Sequence, residues 1–184
     1  MIQKRPAIFL DRDGTLIEDL HYLSDPAQVV LLAGCVDGLL KLSSAGFYLV
    51  VVTNQSGIAR GLMTQGQVDE VNDSLADLLS RQGVVLDGIY LCPHGPDDGC
   101  RCRKPRAGMV EQAREKLPID LTRSWVIGDK CSDVLLGQNV GVRTILLKTD
   151  ETNSGQSSGD CQATATAGGF SEAVAYVTSH LKLS

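Results

Sequence analysis

The stretch Ala7–Leu16, with the sequence AIFLDRDGTL, combines a short apolar run with an acidic turn. Its first four residues are apolar, as in a buried strand, and Asp11, Asp13 and Gly14 follow directly. Carboxylates at the end of a buried strand are costly unless a metal ion or another cation compensates their charge. Because open α/β sheets bind ligands at the carboxyl ends of their strands, this stretch predicts a polar site at that edge.

The rest of the chain alternates between strand and helix patterns. Thr64 and Gln67 have the spacing of a capping box, and apolar residues at helical spacing follow them. Further apolar runs, typical of buried strands, are Tyr48–Val52, Ile89–Leu91, Trp125–Ile127 and Thr144–Leu147. This alternation predicts an α/β fold with a Rossmann-like parallel sheet flanked by helices.

The length of 184 residues predicts a single domain over residues 1–184. Residues 148–169 are rich in Ser, Thr, Gly and Asp and contain no Leu, Ile, Val or Phe. This composition predicts a flexible segment at about 148–169. Residues 162–166 leave a second interpretation open, an additional strand at the sheet edge.

Composition argues against several classes of function. A net charge of −5 gives no general attraction to nucleic acid or anionic lipid, and the aromatic content of 4% disfavours base stacking. We expect no membrane partner and a cytoplasmic location, because neither a transmembrane run nor a signal peptide is visible. The six cysteines are then expected as thiols or metal ligands rather than disulfides. No apolar stripe is left over for a partner, so we expect a monomer.

Polar groups follow four of the predicted strands. In a parallel sheet these strand ends share one edge, so their side chains are expected to converge on one crevice. The groups concerned are Asp11 and Asp13, Thr53 and Asn54, Arg103 and Lys104, and Asp129 and Lys130.

This set of side chains suits phosphoryl transfer. Asp11 can act as the nucleophile, and Asp13 can protonate the leaving alkoxide and later deprotonate water. Asp129 together with Asp11 offers the hard oxygen ligands that Mg²⁺ prefers. The metal and Lys104 would offset the charge of the transferred group, while Thr53 and the following asparagine bind its oxygens.

The loop 92–106 contains a second predicted metal site. Three thiols and one imidazole lie within eleven residues and match a closed tetrahedral Zn²⁺ site, which leaves no position for water and is therefore structural. Such a zinc ion would position the next two residues, Arg103 and Lys104. An incidental or redox-active cysteine cluster is the alternative. The four predicted ligands are Cys92, His94, Cys100 and Cys102; Cys35, Cys131 and Cys161 are interpreted as core or linker residues.

Taken together, the segments DRDGTL, TNQSGIARG, CRKP and GDK and the C-x-H and C-x-C pairs resemble the haloacid dehalogenase superfamily. Within it, residues 7 to 150 are similar to the D-glycero-D-manno-heptose 1,7-bisphosphate phosphatase family. The resemblance implies Mg²⁺-dependent hydrolysis of the C7 phosphate to heptose 1-phosphate through an aspartyl phosphate, in nucleotide-activated heptose and lipopolysaccharide biosynthesis. It also implies a core with a zinc-binding loop; the short segments between motifs predict no separate cap domain.

The resemblance assigns roles to individual residues. It implies Asp11 as nucleophile, Asp13 as general acid and base, and Mg²⁺ held by Asp11, the backbone carbonyl of Asp13, and Asp129. Thr53 and Lys104 would stabilise the phosphoryl group, and Asp133 would be a supporting carboxylate. The predicted substrate-binding residues are Asp19, His21, Tyr22, Thr53, Asn54, Gln55, Ser56, Arg103, Lys104 and Lys130. Relatives often carry His-Gly where this chain has Leu20 and His21, so the detailed sugar contacts of this stretch are expected to differ from theirs.

Two alternatives stay open. A histidinol-phosphate phosphatase shares the first motif and the zinc loop, but TNQSGIARG favours the heptose enzyme. A non-catalytic zinc module that binds nucleic acid would use the basic run RCRKPR at residues 101–106. The acidic net charge and the placement of the aspartates argue against that module.

Overall fold

The computed structural model describes residues 3–148 and 161–183. Its centre is a six-stranded sheet in the order β3-β2-β1-β4-β5-β6, and every pair of neighbouring strands is parallel. The predicted parallel α/β sheet is thereby confirmed. The strands are β1 (Ala7–Leu10), β2 (Tyr48–Asn54), β3 (Gly88–Cys92), β4 (Trp125–Gly128), β5 (Arg143–Leu147) and β6 (Ala165–Ala167). The helices are α1 (Cys35–Ser44), α2 (Gln65–Arg81), α3 (Gly108–Lys116), α4 (Cys131–Val140) and α5 (Phe170–Ser179).

Strand β1 lies in the interior of the sheet, between β2 and β4. Ile8 lies opposite Leu49 of β2 and Trp125 of β4, and all four residues of β1 are buried. The chain first extends the sheet outward through β2 and β3 and then returns to the other side of β1. This reversal of strand order opens a crevice at the carboxyl ends of β1 and β4.

Two apolar cores, one on each face of the sheet, hold the helices in place. One core packs Ile8 and Leu10 of β1 against α1, α2 and α5, and the other packs Phe9 against α3 and α4. Because successive side chains of a strand point to opposite faces, a short apolar run such as β1 supplies both cores.

Helix α2 begins at the predicted capping box. The Thr64 hydroxyl accepts a hydrogen bond from the Gln67 amide, and the Gln67 side chain accepts one from the Thr64 amide. These two bonds satisfy backbone donors that the first turn of a helix leaves free. No helix among residues 3–148 and 161–183 is long and apolar enough to cross a bilayer.

The prediction of a flexible segment at about 148–169 is wrong for the residues that form β6. Residues 149–160 lie outside the described residues, but β6 pairs with β5, so the alternative of an edge strand is confirmed. The pairing does not depend on large apolar side chains: Thr144 and Thr164 exchange hydrogen bonds between each backbone amide and the other hydroxyl. Hydrogen bonds of the backbone and of the threonine hydroxyls therefore hold β6 against β5, although the segment has no large apolar side chains.

The expectation that all six cysteines are thiols or metal ligands is wrong for one pair. Cys131, the first residue of α4, forms a disulfide with Cys161, and their Cα atoms are 5.7 Å apart. Strand β6 follows Cys161 and lies beside β5, which packs against α4, so the fold brings the two cysteines together. Cys35 is a buried free thiol, as the core interpretation predicts.

Candidate active site

Asp11 and Lys104 form a buried ion pair at the end of β1. The Lys104 ammonium lies 2.8 Å from Asp11 Oδ1 and 2.6 Å from Asp133 Oδ1, and it donates to the Val52 carbonyl at 2.8 Å. Asp11 Oδ1 also accepts the Arg12 amide at 2.8 Å. Both donors act on the same oxygen, and Asp11 Oδ2 accepts no hydrogen bond from the described part of the chain.

Asp129 and Asp133 complete an acidic cluster from the far side of the crevice. Burial, together with the nearby charge of Asp11, raises the pKa of Asp129 to about 7. Burial also raises the pKa of Asp133 to about 6, against the opposing effect of the Lys104 charge. For Lys104, burial lowers the pKa, but the charges of Asp11 and Asp133 outweigh it and leave the pKa above its usual range. Three carboxyl groups thus share one buried ammonium, and the more exposed Lys130 ammonium lies 3.9 Å from Asp129 Oδ2.

The cluster fits a divalent cation. Carboxylate oxygens of Asp11, Asp129 and Asp133 lie within 4.8 Å of one another. Asp129 Oδ1 is buried and has no hydrogen-bond partner among residues 3–148 and 161–183, which is costly without a cation. Three hard oxygen donors with this spacing suit Mg²⁺. Asp133, expected only as a supporting carboxylate, thus joins Asp11 and Asp129 as a candidate metal ligand. The Asp13 backbone carbonyl as a further ligand stays a prediction.

The Asp13 carboxylate lies outside this cluster, in a network of its own. Arg12 approaches it with Nη2 at 3.0 Å from Oδ1 and with Nε at 3.2 Å from Oδ2. Gln55 Nε2 donates to Asp13 Oδ2 and to the Thr53 hydroxyl, each at 2.8 Å. Gln55, predicted as a substrate contact, therefore also links two of the predicted catalytic side chains.

Asn54 attaches the loop 92–106 to the sheet. Its amide group donates to the Lys104 carbonyl at 3.2 Å, and its Oδ1 accepts the Lys104 amide at 3.0 Å. This pair of bonds fixes the Lys104 backbone and hence the direction of its side chain. Asn54, predicted to bind phosphate oxygens, thus has a second contact that the sequence did not indicate.

A pocket of about 400 Å³ opens beside these groups. Of the predicted site, Asp11, Thr53 and Asp129 are not among its lining residues; Asp11 and Thr53 instead contact the lining residues Lys104 and Gln55. Ser132 and Leu23 line it without having been predicted, since a lone serine or leucine carries no sequence signal. The remaining lining residues are Asp13, Asp19, His21, Tyr22, Asn54, Gln55, Ser56, Arg103, Lys104 and Lys130.

One wall of the pocket is a constrained loop. His21 and Tyr22 have φ angles of 48° and 57°, in the left-handed region that residues other than glycine rarely adopt. Asp19 holds this loop, because Oδ1 accepts the His21 amide at 3.1 Å and Oδ2 pairs with the Lys130 ammonium at 3.0 Å. Burial raises the pKa of Asp19, but the hydrogen bond and charge of Lys130 and the hydrogen bonds from His21 together leave the pKa below its usual value.

The four predicted zinc ligands converge. Cys92 Sγ lies 3.0 Å from Cys102 Sγ, 3.6 Å from Cys100 Sγ and 3.6 Å from His94 Nδ1. All four ligand atoms lie within 4.8 Å of one another, and three thiols with one imidazole are a common structural zinc set. Burial and the Cys102 hydrogen bond raise the pKa of the Cys92 thiol, so a cation is needed to hold the thiolate. The cluster therefore fits Zn²⁺.

The zinc cluster is connected to the pocket through Arg103, whose guanidinium donates to the His94 carbonyl at 3.2 Å. Of the four cations in the basic run at residues 101–106, only Arg101 and Arg106 are exposed. Lys104 is buried among carboxylates, and Arg103 is half-buried beside the pocket. This arrangement gives no support to the nucleic-acid-binding alternative.

Comparisons with known proteins agree with this geometry. A family model described as HAD-hydrolase-like matches residues 101–173. A D-glycero-beta-D-manno-heptose-1,7-bisphosphate 7-phosphatase from Yersinia pestis is 42% identical over 171 residues, covering 87% of this chain and 90% of the relative. The protein of the same name from Escherichia coli (strain K12) is 41% identical over 155 residues, covering 79% and 81%.

Solved structures give the same picture. A D,D-heptose 1,7-bisphosphate phosphatase from B. bronchiseptica, complexed with magnesium and phosphate, superposes with a TM-score of 0.85 at 30% identity. The match covers 95% of this chain and 99% of that chain. A putative HAD-like phosphatase from Mesorhizobium loti has a TM-score of 0.81 at 32% identity, with 98% and 87% covered.

Proposed function

The chain belongs to the D-glycero-beta-D-manno-heptose-1,7-bisphosphate 7-phosphatase family of HAD-like hydrolases, and from this premise we propose that it hydrolyses the C7 phosphate of that sugar bisphosphate. The observation that carries the proposal is the convergence of Asp11, Asp129, Asp133 and Lys104 beside a pocket that Arg103 and Lys130 also line. A doubly phosphorylated sugar has two anionic ends, and the pocket offers cations for both.

The first chemical step assigns one role to each aspartate at the β1 end. Asp11 attacks the phosphorus of the C7 phosphate, the bond from phosphorus to the C7 oxygen breaks, and Asp13 gives its proton to that oxygen. Lys104 and the Arg12 amide hold the Asp11 carboxylate, which leaves its other oxygen available for attack. The product of this step is an aspartyl phosphate and free heptose 1-phosphate.

The second step returns the enzyme to its starting state. Asp13, now ionised, takes a proton from water, and the resulting hydroxide attacks the phosphorus of the aspartyl phosphate. The bond from phosphorus to the Asp11 oxygen breaks, phosphate is released, and Asp11 is again a carboxylate while Asp13 is again protonated. Lys104 and Thr53 stabilise the equatorial oxygens in both steps. Mg²⁺ bound by Asp11, Asp129 and Asp133 would neutralise charge on the transferred group. Asp133 also fixes Lys104, so loss of its carboxylate is expected to disturb both cations.

Substrate recognition is assigned to the other side of the pocket. Arg103 and Lys130 are placed to bind the C1 phosphate or the sugar hydroxyls, and the Lys130 ammonium donates to Asp19 Oδ2 at 3.0 Å. Zn²⁺ at the cysteine cluster would stabilise the loop 92–106 and keep Arg103 in place. A single domain, a monomer and a cytoplasmic location stay predictions.

The test is a comparison of kcat/KM for the β and α anomers of D-glycero-D-manno-heptose 1,7-bisphosphate and for histidinol phosphate, with and without Mg²⁺. We expect activity that requires Mg²⁺ and prefers the β anomer. Asp11→Asn should lose activity by at least about 1,000-fold. Asp120→Asn is the matched control, since Asp120 pairs with Arg123 in an exposed ion pair away from the pocket lining. Preference for histidinol phosphate would overturn the substrate assignment, and full activity of Asp11→Asn would overturn the nucleophile.

A further inference from the structure

Arg12 is the only fully buried cationic side chain among the described residues. It lies between the two aspartates of the first motif, and the proposed reaction gives it no role. A buried guanidinium is costly unless its donors are satisfied, so its position requires a specific set of partners. Those partners show what the side chain does.

The guanidinium of Arg12 connects two elements. On one side it makes paired contacts with Asp13, at 3.0 Å from Nη2 to Oδ1 and 3.2 Å from Nε to Oδ2. On the other side Nη1 donates to Asn72 Oδ1 at 2.8 Å, and Asn72 is a buried residue of α2. Paired contacts from a planar guanidinium fix both the position and the rotation of a carboxylate.

The backbone of Arg12 is fixed as well. Its carbonyl accepts the amides of Thr15, Leu16 and Ile17, and its own amide donates to Asp11. The side chain therefore extends from a rigid turn to a rigid helix, with Asp13 held between them. Gln55 completes the arrangement by donating to the remaining side of the Asp13 carboxylate.

We infer that Arg12, anchored by Asn72, is a positioning residue that holds the Asp13 carboxylate in the orientation from which it protonates the leaving alkoxide. This inference rests on the proposed function, because Asp13 acts on a leaving group only if the chain is a phosphatase. Arg12 is not among the residues that line the pocket or that offer ligand oxygens to a cation, so it acts through Asp13. A general acid contributes only when its proton lies within hydrogen-bond reach of the departing oxygen, so its orientation decides its contribution.

The leaving group distinguishes positioning from a merely structural role. A sugar alkoxide is a poor leaving group and needs a proton as it departs, whereas p-nitrophenolate departs without one. The constant kcat/KM reports on steps up to the first irreversible one, here departure of the leaving group. If Asp13 loses its orientation, kcat/KM falls for the sugar phosphate but stays nearly unchanged for p-nitrophenyl phosphate.

The experiment compares Arg12→Gln with wild type on both substrates at saturating Mg²⁺. We expect kcat/KM to fall about 10- to 100-fold for the heptose bisphosphate and less than about threefold for p-nitrophenyl phosphate. For p-nitrophenyl phosphate, kcat and KM should fall by the same factor, because the second step, in which Asp13 is the base, becomes slower while the first does not. Arg123→Gln, which removes an exposed arginine, should leave all constants unchanged.

Two further variants keep the test decisive if Arg12→Gln folds poorly. Arg12→Lys retains the charge without the paired contacts and should recover only part of the loss. Asn72→Ala removes the anchor alone and should show a smaller loss with the same substrate dependence. An equal loss on both substrates, or a gain on the heptose bisphosphate, would overturn the inference. Inactivity of the wild type on both substrates would instead overturn the proposed function.

Discussion

Lys104 is the side chain on which the acidic cluster depends most directly. In wild type its ammonium contacts Asp11 and Asp133 at 2.8 and 2.6 Å, and all three side chains are almost completely buried. Lys104→Met keeps most of the side-chain volume and removes the charge. Asp11 and Asp133 would then be buried near Asp129 with no cationic side chain of the described residues in contact with either of them, since Lys130 lies beside Asp129.

The expected loss of stability follows from two magnitudes. Removing one partner of a buried ion pair costs about 3–5 kcal/mol, because the other charge is left uncompensated. The variant can avoid an uncompensated charge by protonating one carboxylate. At neutral pH, protonating an aspartate of ordinary pKa costs about 4 kcal/mol. We therefore expect Lys104→Met to lower the free energy of unfolding by about 3 kcal/mol at neutral pH. The loss should shrink as the pH falls, because protonation becomes cheaper.

The assay is urea denaturation in magnesium-free buffer without chelator, so that the zinc loop is undisturbed. Lys104→Met/Asp133→Asn should be more stable than Lys104→Met, since the second change removes one of the uncompensated charges. Mg²⁺ should raise the midpoint of Lys104→Met by more than that of wild type, because it replaces the missing positive charge. A Lys104→Met variant within about 1 kcal/mol of wild type at neutral pH, or a double variant less stable than the single one, would refute the reasoning.

Three further predictions concern the zinc loop, the acidic cluster and the core. Cys100→Ser should lose zinc by elemental mass spectrometry, lower Tm by about 10 °C and raise KM for the sugar phosphate through Arg103; zinc-free wild type of unchanged Tm would contradict this. Asp129 has a folded pKa of about 7, above its unfolded value, so the folded protein binds the extra proton. Asp129 should therefore add up to about 1.4 kcal/mol of stability to the metal-free protein per pH unit as the pH falls from about 7 to 5, and the raised pKa of Asp133 should add to this gain below about pH 6. Denaturation measures the gain, and Mg²⁺ should reverse the trend. Burial raises the pKa of Cys35 to about 12, so iodoacetamide should alkylate it at least about 100-fold more slowly in the native than in the urea-unfolded protein, by peptide mass spectrometry.

Local patterns predicted much of the fold and part of the site. The apolar runs predicted β1 to β5 because strands buried on both faces need continuous apolar sequence, and the capping box of Thr64 predicted the start of α2. The spacing of cysteines and histidine in the loop 92–106 predicted that the four zinc ligands converge, since they lie within eleven residues of the sequence. These features depend on contacts between residues that are close in the sequence.

Contacts between distant residues were harder to predict. The Cys131–Cys161 disulfide and the pairing of β6 depend on which strands become neighbours, which no local pattern gives. Asp133 appeared only as a supporting carboxylate, and Asn54 and Gln55 only as ligand contacts. Their hydrogen bonds to Lys104 and Asp13 exist because β2 lies beside both β1 and β3.

The sequence by itself determined the identities of the reactive groups and the strand ends on which they lie, because chemistry and strand burial are encoded residue by residue. Only the tertiary structure decided which buried polar groups satisfy one another: Lys104 pairs with Asp11 and Asp133, and the Arg12 guanidinium is anchored by Asn72 of α2. Buried charges are stable only with partners at contact distance, and those partners are chosen by the packing of the whole sheet.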